Sequence, residues 1–202
     1  QDFVALVEKF APVADFLTID VSCPNSANGQ VFLDPRALEG LLARLNTTRE
    51  ASSGAPVMFA KLAPDIADDH LTELLEVIMA AKIDAITLCN TTTGRPDSLQ
   101  SANASERGGL SGAPLFEMAT EMLRKVYVQT KGNVPLIGVG GIMSGADAYT
   151  KIRAGASLVQ LYTGLIYKGP GLIQTIKQDI AERLTRGGFK NLSEAIGLEH
   201  RS

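Results

Sequence analysis

Five short, almost uninterrupted aliphatic runs constrain this chain more than any other feature: Phe16 to Val21, Val57 to Leu62, Ile83 to Leu88, Val134 to Val139 and Ser157 to Leu161. Continuous apolar runs of this length, as opposed to alternating ones, belong to parallel strands covered on both faces. Between them lie stripes at helical spacing. Leu38, Leu41, Leu42 and Leu45 recur at i, i+3, i+4 and i+7, and so do Leu71, Leu74, Leu75 and Ile78. Leu115, Ala119, Met122 and Val126 form a third stripe, with Gly132 placed to end it in the C′ manner. Ile173, Ile176, Ile180 and Leu184 form a fourth, stopped by Gly187 and Gly188. All four read as core-packing faces. Strand–helix units in series predict an α/β fold with a parallel sheet, either doubly wound or part of a (β/α)8 TIM barrel. A full barrel takes about 250 residues and eight strands, whereas this chain has 202 residues.

Composition narrows the function. Hydrophobic residues are 45% and charged residues 20%, ordinary globular usage. Aromatics are 5% with no Trp, net charge is −3, and the basic residues are scattered, so nucleic acid is not the expected partner. His70 and His200 lack partners at metal-ligand spacing, and two cysteines, Cys23 and Cys89, make no disulfide framework. The expectation is a soluble domain with no metal site.

The loops after the last two predicted strands are rich in glycine. Gly138-Val139-Gly140-Gly141-Ile142 follows the fourth, and Gln160-Leu161-Tyr162-Thr163-Gly164 the fifth, with Lys168-Gly169-Pro170-Gly171 beyond. Turn punctuation is one reading. Phosphate binding is the other, because barrels hold phosphate on bare backbone N–H groups in the loops after strands seven and eight. On that reading the chain carries barrel strands 4–8 with their helices.

Several motifs then agree. Ser22-Cys23-Pro24-Asn25, Lys61-Leu62-Ala63-Pro64-Asp65, Asn90-Thr91-Thr92, Gly108-Gly109-Leu110-Ser111-Gly112, Gly138-Val139-Gly140-Gly141 and Leu161-Tyr162-Thr163 stand in the order and spacing of dihydroorotate dehydrogenases, which the chain resembles from about Asp2 to Arg201. The run from Arg153 to Thr163 and the ending Ala195-Ile196-Gly197 resemble the quinone-linked class. The resemblance implies residues 1–202 are the C-terminal portion of an FMN-binding TIM barrel, strands 1–3 and any quinone-receiving segment having no counterpart here. It implies oxidation of dihydroorotate to orotate in pyrimidine biosynthesis, with quinone as acceptor. The whole protein would then sit peripherally on a bacterial or mitochondrial inner membrane, the cytoplasm being the alternative. The missing barrel half would come from the same or another chain.

The family reaction takes a proton from C5 of the substrate and a hydride from C6. By resemblance Cys23 is the base, with burial as a small apolar residue the plainer alternative. Asn25, Ser26, Asn90 and Thr91 match substrate-reading positions. Lys61 matches the lysine that stabilises reduced flavin; snorkelling at the strand mouth, or a Schiff base in a flavin-free barrel enzyme, are its alternatives. Ser111, Gly112, Gly140, Gly141, Tyr162 and Thr163 match positions that hold FMN.

Three residues or stretches depart from the pattern. Asp20 stands where the family has Asn, at a position that touches substrate and cofactor. An unpaired carboxylate there would repel an anion at 4 Å by about 4 kcal/mol at an effective dielectric near 20. The loop after Asn25 reads Ser26-Ala27-Asn28-Gly29-Gln30 and lacks the usual Arg, and Cys89 replaces a flavin-neighbouring Thr. These departures leave a related dihydropyrimidine or cyclic amide as the alternative substrate, and a non-catalytic flavin- or phosphate-binding remnant as a further alternative.

Overall fold

The computed structural model describes residues 2–22 and 31–201. Its strands are β1 (Phe16–Asp20), β2 (Val57–Leu62), β3 (Ala85–Leu88), β4 (Leu136–Val139) and β5 (Ala156–Gln160). Its helices are α1 (Asp2–Phe10), α2 (Pro35–Glu50), α3 (Asp68–Ala80), α4 (Phe116–Gln129), α5 (Gly145–Arg153), α6 (Thr163–Lys168) and α7 (Gly171–Arg186). All strand pairs are parallel and the sheet order is β1-β2-β3-β4-β5. That order decides between the two layouts. A doubly wound sheet reverses direction at a switch point, which separates some sequence neighbours. Here each strand lies beside its predecessor, as in a barrel wound one way.

Pairing register puts the strand C-termini on one rim. Asp20 lies opposite Lys61, Leu62 opposite Leu88, and Leu88 opposite Gly138. β3, in the middle, is buried at every residue, whereas β1 and β5 are partly exposed. The runs read as doubly covered strands, but only β3 is buried throughout, and β2 alternates between buried and partly exposed residues. β1 and β5 each have one edge with no strand partner among the described residues.

Helix faces follow the predicted stripes. Leu38, Leu41, Leu42 and Leu45 of α2 are buried, and Asp34 caps the helix by accepting from the Ala37 N–H at 2.9 Å, ahead of Pro35. α4 ends one residue earlier than Gly132 implies. Lys131 takes the C′ position with φ 52°, its N–H bonding the Val128 carbonyl, while Gly132 bonds Tyr127. In α7 the buried face runs through Leu172 and Ile176, and Ile173 is exposed. Helix α5 has too few aliphatic residues to show a stripe, but it carries a capping signal. Ser144 accepts from the Asp147 N–H at 3.2 Å, and the Asp147 carboxylate accepts from the Met143 N–H at 2.9 Å. β3 starts at Ala85, two residues after the apolar run begins. Lys82 is left-handed at φ 53°, and the Asp84 carboxylate accepts from the Met58 N–H at 2.8 Å and from Arg49.

The core is one cluster gathered around β2 and β3, with a satellite of Ile142, Ala148, Leu172 and Ile176 beneath α5 and α7. Ile86 lies at its centre with no exposed surface. Ile86→Ala is expected to lower unfolding free energy by about 2–5 kcal/mol, read as a lower urea midpoint at unchanged slope.

Candidate functional site

A cavity of about 360 Å³ opens at the C-terminal rim of the sheet. One end is charged and polar. β2 delivers Lys61, whose Nζ lies 3.7 Å from the Asp20 carboxylate delivered by β1. After β3, Asn90 donates from Nδ2 to both Asp20 oxygens, at 3.1 and 3.0 Å. A carboxylate accepts only, so the amide orientation of Asn90 is fixed, and its Oδ1 accepts the Thr91 N–H at 2.9 Å. Ser22 completes the knot: its N–H donates to Asp20 at 3.2 Å and its hydroxyl to the Lys61 carbonyl at 3.2 Å. Asp20 is therefore paired, the condition under which it stops repelling an anion. The same contacts hold Lys61 and Asn90 in one geometry.

The other end is built from glycines. Gly112, Gly140 and Gly141 have φ of 80°, 99° and 76°, the left-handed region that disfavours side chains. At Gly141 a Cβ would stand 2.4 Å from the Phe116 Cα, so backbone presses on backbone. Ser111 and Thr163 join their loops through a hydroxyl contact of 2.9 Å. Tyr162 borders the cavity as well and is largely exposed.

Cys89 lies on the cavity wall, buried, and burial pushes its thiol up to about 12, so it stays protonated at neutral pH. Of the residues proposed from sequence, Lys61, Cys89, Asn90, Thr91, Ser111, Gly112, Gly140, Gly141, Tyr162 and Thr163 border this one cavity. Asp20 stands behind two of them. Cys23, Asn25 and Ser26 lie outside the described residues.

Sequence reasoning missed the supports. Asp65 accepts from the Thr92 hydroxyl and, at 2.8 Å, from the Thr93 N–H, which fixes the segment that carries Asn90 and Thr91. Arg95 donates to the carbonyls of Glu106 and Gly108 at 2.7 and 2.8 Å, closing the 95–108 loop upon itself. Lys151, on α5, is fully buried; among the described residues its Nζ reaches only the Phe116 carbonyl, at 3.4 Å, and the Phe116 ring, at 5.0 Å. Its signal was a lysine at the buried spacing set by Ala148 and Ile152. Among the described residues no carboxylate lies within ion-pair distance of it. No group of three or more His, Cys, Asp or Glu among the described residues could hold a metal ion, and no described helix is long and apolar enough to cross a membrane.

Burial pushes the Lys151 ammonium down to about 8 from an ordinary value of 10.5. Between these limits the unfolded chain binds more protons at this residue than the folded one, so its contribution to stability rises with pH, by roughly 3 kcal/mol in all. Cys89 contributes in the opposite direction above about pH 9, because its raised value keeps the folded thiol protonated. The difference in unfolding free energy between the parent and Lys151→Met, followed from pH 8 to 10.5, is expected to isolate the lysine's rise. A flat difference would show that the ammonium is not desolvated.

The sequence matches the family described as "Dihydroorotate dehydrogenase" over residues 1–184. It is 44% identical to the "Dihydroorotate dehydrogenase (quinone)" of Rhodospirillum rubrum, covering 99% of this chain and 55% of that protein. It is also 44% identical to the mitochondrial "Dihydroorotate dehydrogenase (quinone)" of Arabidopsis thaliana, covering 99% of this chain and 45% of that protein. The fold superposes on the crystal structure of Eimeria tenella DHODH in complex with ferulenol with a TM-score of 0.94 at 33% identity, over 100% of this chain and 58% of that one. The chain thus spans about half the length of the curated relatives it matches.

Proposed function

The chain belongs to the dihydroorotate dehydrogenase family, and on that premise we propose that it is the part of an FMN-dependent enzyme that oxidises dihydroorotate to orotate in pyrimidine biosynthesis. The observation that carries this reading is the cavity with two unlike ends: Lys61, Asp20 and Asn90 at one, and the glycines with Ser111 and Thr163 at the other. The residues present fit FMN. Left-handed Gly140 and Gly141 leave bare backbone at the cavity wall, which would suit a phosphate, and Lys61 would supply positive charge to the ring end of the flavin. When bound there, FMN supplies the hydride acceptor.

The chain's own residues do the rest. Asn90 and Thr91 orient the substrate's amide and carboxylate edges, together with Asn25 and Ser26. The Cys23 thiolate takes the C5 proton and becomes the neutral thiol while the hydride leaves C6, so a C5=C6 double bond forms. A thiol with a reference pKa of about 8.5 is better matched to working pH than a serine hydroxyl. Lys61 holds positive charge where negative charge develops, and Asp20 and Asn90 keep it in place. The proposed final electron acceptor is a quinone, the word the relatives' names carry, and a peripheral position of the whole protein on an inner membrane would suit that acceptor. The edges of β1 and β5, which have no strand partner among the described residues, would pair with the remaining barrel strands, from the same polypeptide or a second one.

Asp20 supports a second substrate reading, a related cyclic amide, because its carboxylate occupies the Asn90 donor that would otherwise face the ligand. Anaerobic mixing of FMN-loaded protein with dihydroorotate separates the two. Loss of the yellow flavin absorbance supports dihydroorotate; persistent colour with dihydroorotate and bleaching by another cyclic amide supports the alternative. Cys23→Ala is expected to slow the bleaching by about 10²–10⁴-fold. Asp20→Asn is expected to tighten orotate binding about tenfold by freeing the Lys61 charge; unchanged affinity in a titration would show that Lys61 already cancels Asp20.

A further inference from the structure

The buried ammonium of Lys151 has three donors and, among the described residues, only one carbonyl at 3.4 Å and one aromatic face to satisfy them. An isolated buried charge is costly, and proteins retain one where it does something. Its surroundings show what it holds. At Gly138 of β4 a Cβ would stand 3.2 Å from the Lys151 Cβ and 3.4 Å from its Cδ, so the lysine stem fills the space over this glycine. Its Nζ then grips Phe116 at both the carbonyl and the ring. Phe116 in turn touches Gly141, where an added Cβ would meet its Cα, Cβ and N at 2.4 to 2.6 Å. Lys151 is thus bound to the glycine loop at its start and, through Phe116, at its end.

We propose that Lys151 is a positioning residue for the phosphate end of the cavity, seating the Gly138–Gly141 loop through Phe116 and setting a fixed positive charge behind it that favours a phosphate-bearing ligand. The inference rests on the flavin reading of the cavity. Neighbouring groups leave the charge in force. Burial is the largest influence on the ammonium; the Cys89 thiol is protonated at neutral pH, Arg124 adds positive charge, and Glu117 and Asp147, weaker in effect than Arg124, favour the charged form. In a desolvated setting such a charge acts over longer distances than it does in water.

The test compares FMN with riboflavin, which lacks the phosphate, by fluorescence quenching on the parent, Lys151→Met and Lys151→Gln. Met removes both the donor and the charge; Gln keeps a donor for the Phe116 carbonyl. Both variants are expected to lose about tenfold in preference for FMN over riboflavin, with riboflavin affinity unchanged. Equal loss of both flavins, or an unaltered preference, would overturn the charge role. Amide hydrogen exchange at Gly140 and Gly141 without ligand reads the positioning role directly. Exchange is expected to quicken about tenfold in Met and to stay near the parent rate in Gln; unchanged protection in Met would overturn it. If the parent takes up neither flavin, the flavin reading and with it the phosphate role fail, and the exchange data still decide whether Lys151 seats the loop.

Discussion

Parallel pairing in strict chain order is the constraint on which everything else depends. Because each strand lies beside its predecessor, all strand C-termini meet at one rim, and residues far apart in sequence become neighbours there. Asp20, Lys61 and Asn90 come from three successive strand ends and meet within hydrogen-bonding or ion-pair distance. Gly141 and Thr163 come from the next two and close the far wall. A register slip of one residue in β2 would turn Lys61 to the other face of the sheet and dissolve this arrangement.

Two buried titratable groups flank the cavity with opposite tendencies. Burial holds Cys89 as a neutral thiol and weakens the hold of Lys151 on its proton. The paired charges of Asp20 and Lys61 are more exposed, so solvent shares in their screening. The charges thus differ by depth: the Asp20–Lys61 pair lies at the partly exposed rim, and Lys151 is buried against Phe116 behind the glycine end.

Much of this was legible in the sequence, for identifiable reasons. The aliphatic runs marked all the strands even though only β3 is buried at every residue, and the glycine clusters marked the far wall because left-handed backbone at 140 and 141 excludes side chains. What escaped notice was interaction across distance. Nothing local in the sequence says that Asp20 is paired with Lys61 and hydrogen-bonded by Asn90, or that Asp65 ties down the Thr92–Thr93 turn. Helix α5 was obscured because its buried face includes a lysine where aliphatic periodicity expects Leu or Ile. The position of Gly132 misled by one residue because Lys131 itself accepts the left-handed conformation.

Arg95 has a consequence for how this chain can change over time. Its guanidinium binds the carbonyls of Glu106 and Gly108, and the antiparallel bridge between Thr92 and Leu110 closes the base of the same loop. The neck of the loop is secured independently of its tip. Residues 96–105 lie beyond this neck and none of them lines the cavity, so the tip can be reshaped while the neck holds Asn90, Thr91 and Ser111 in place.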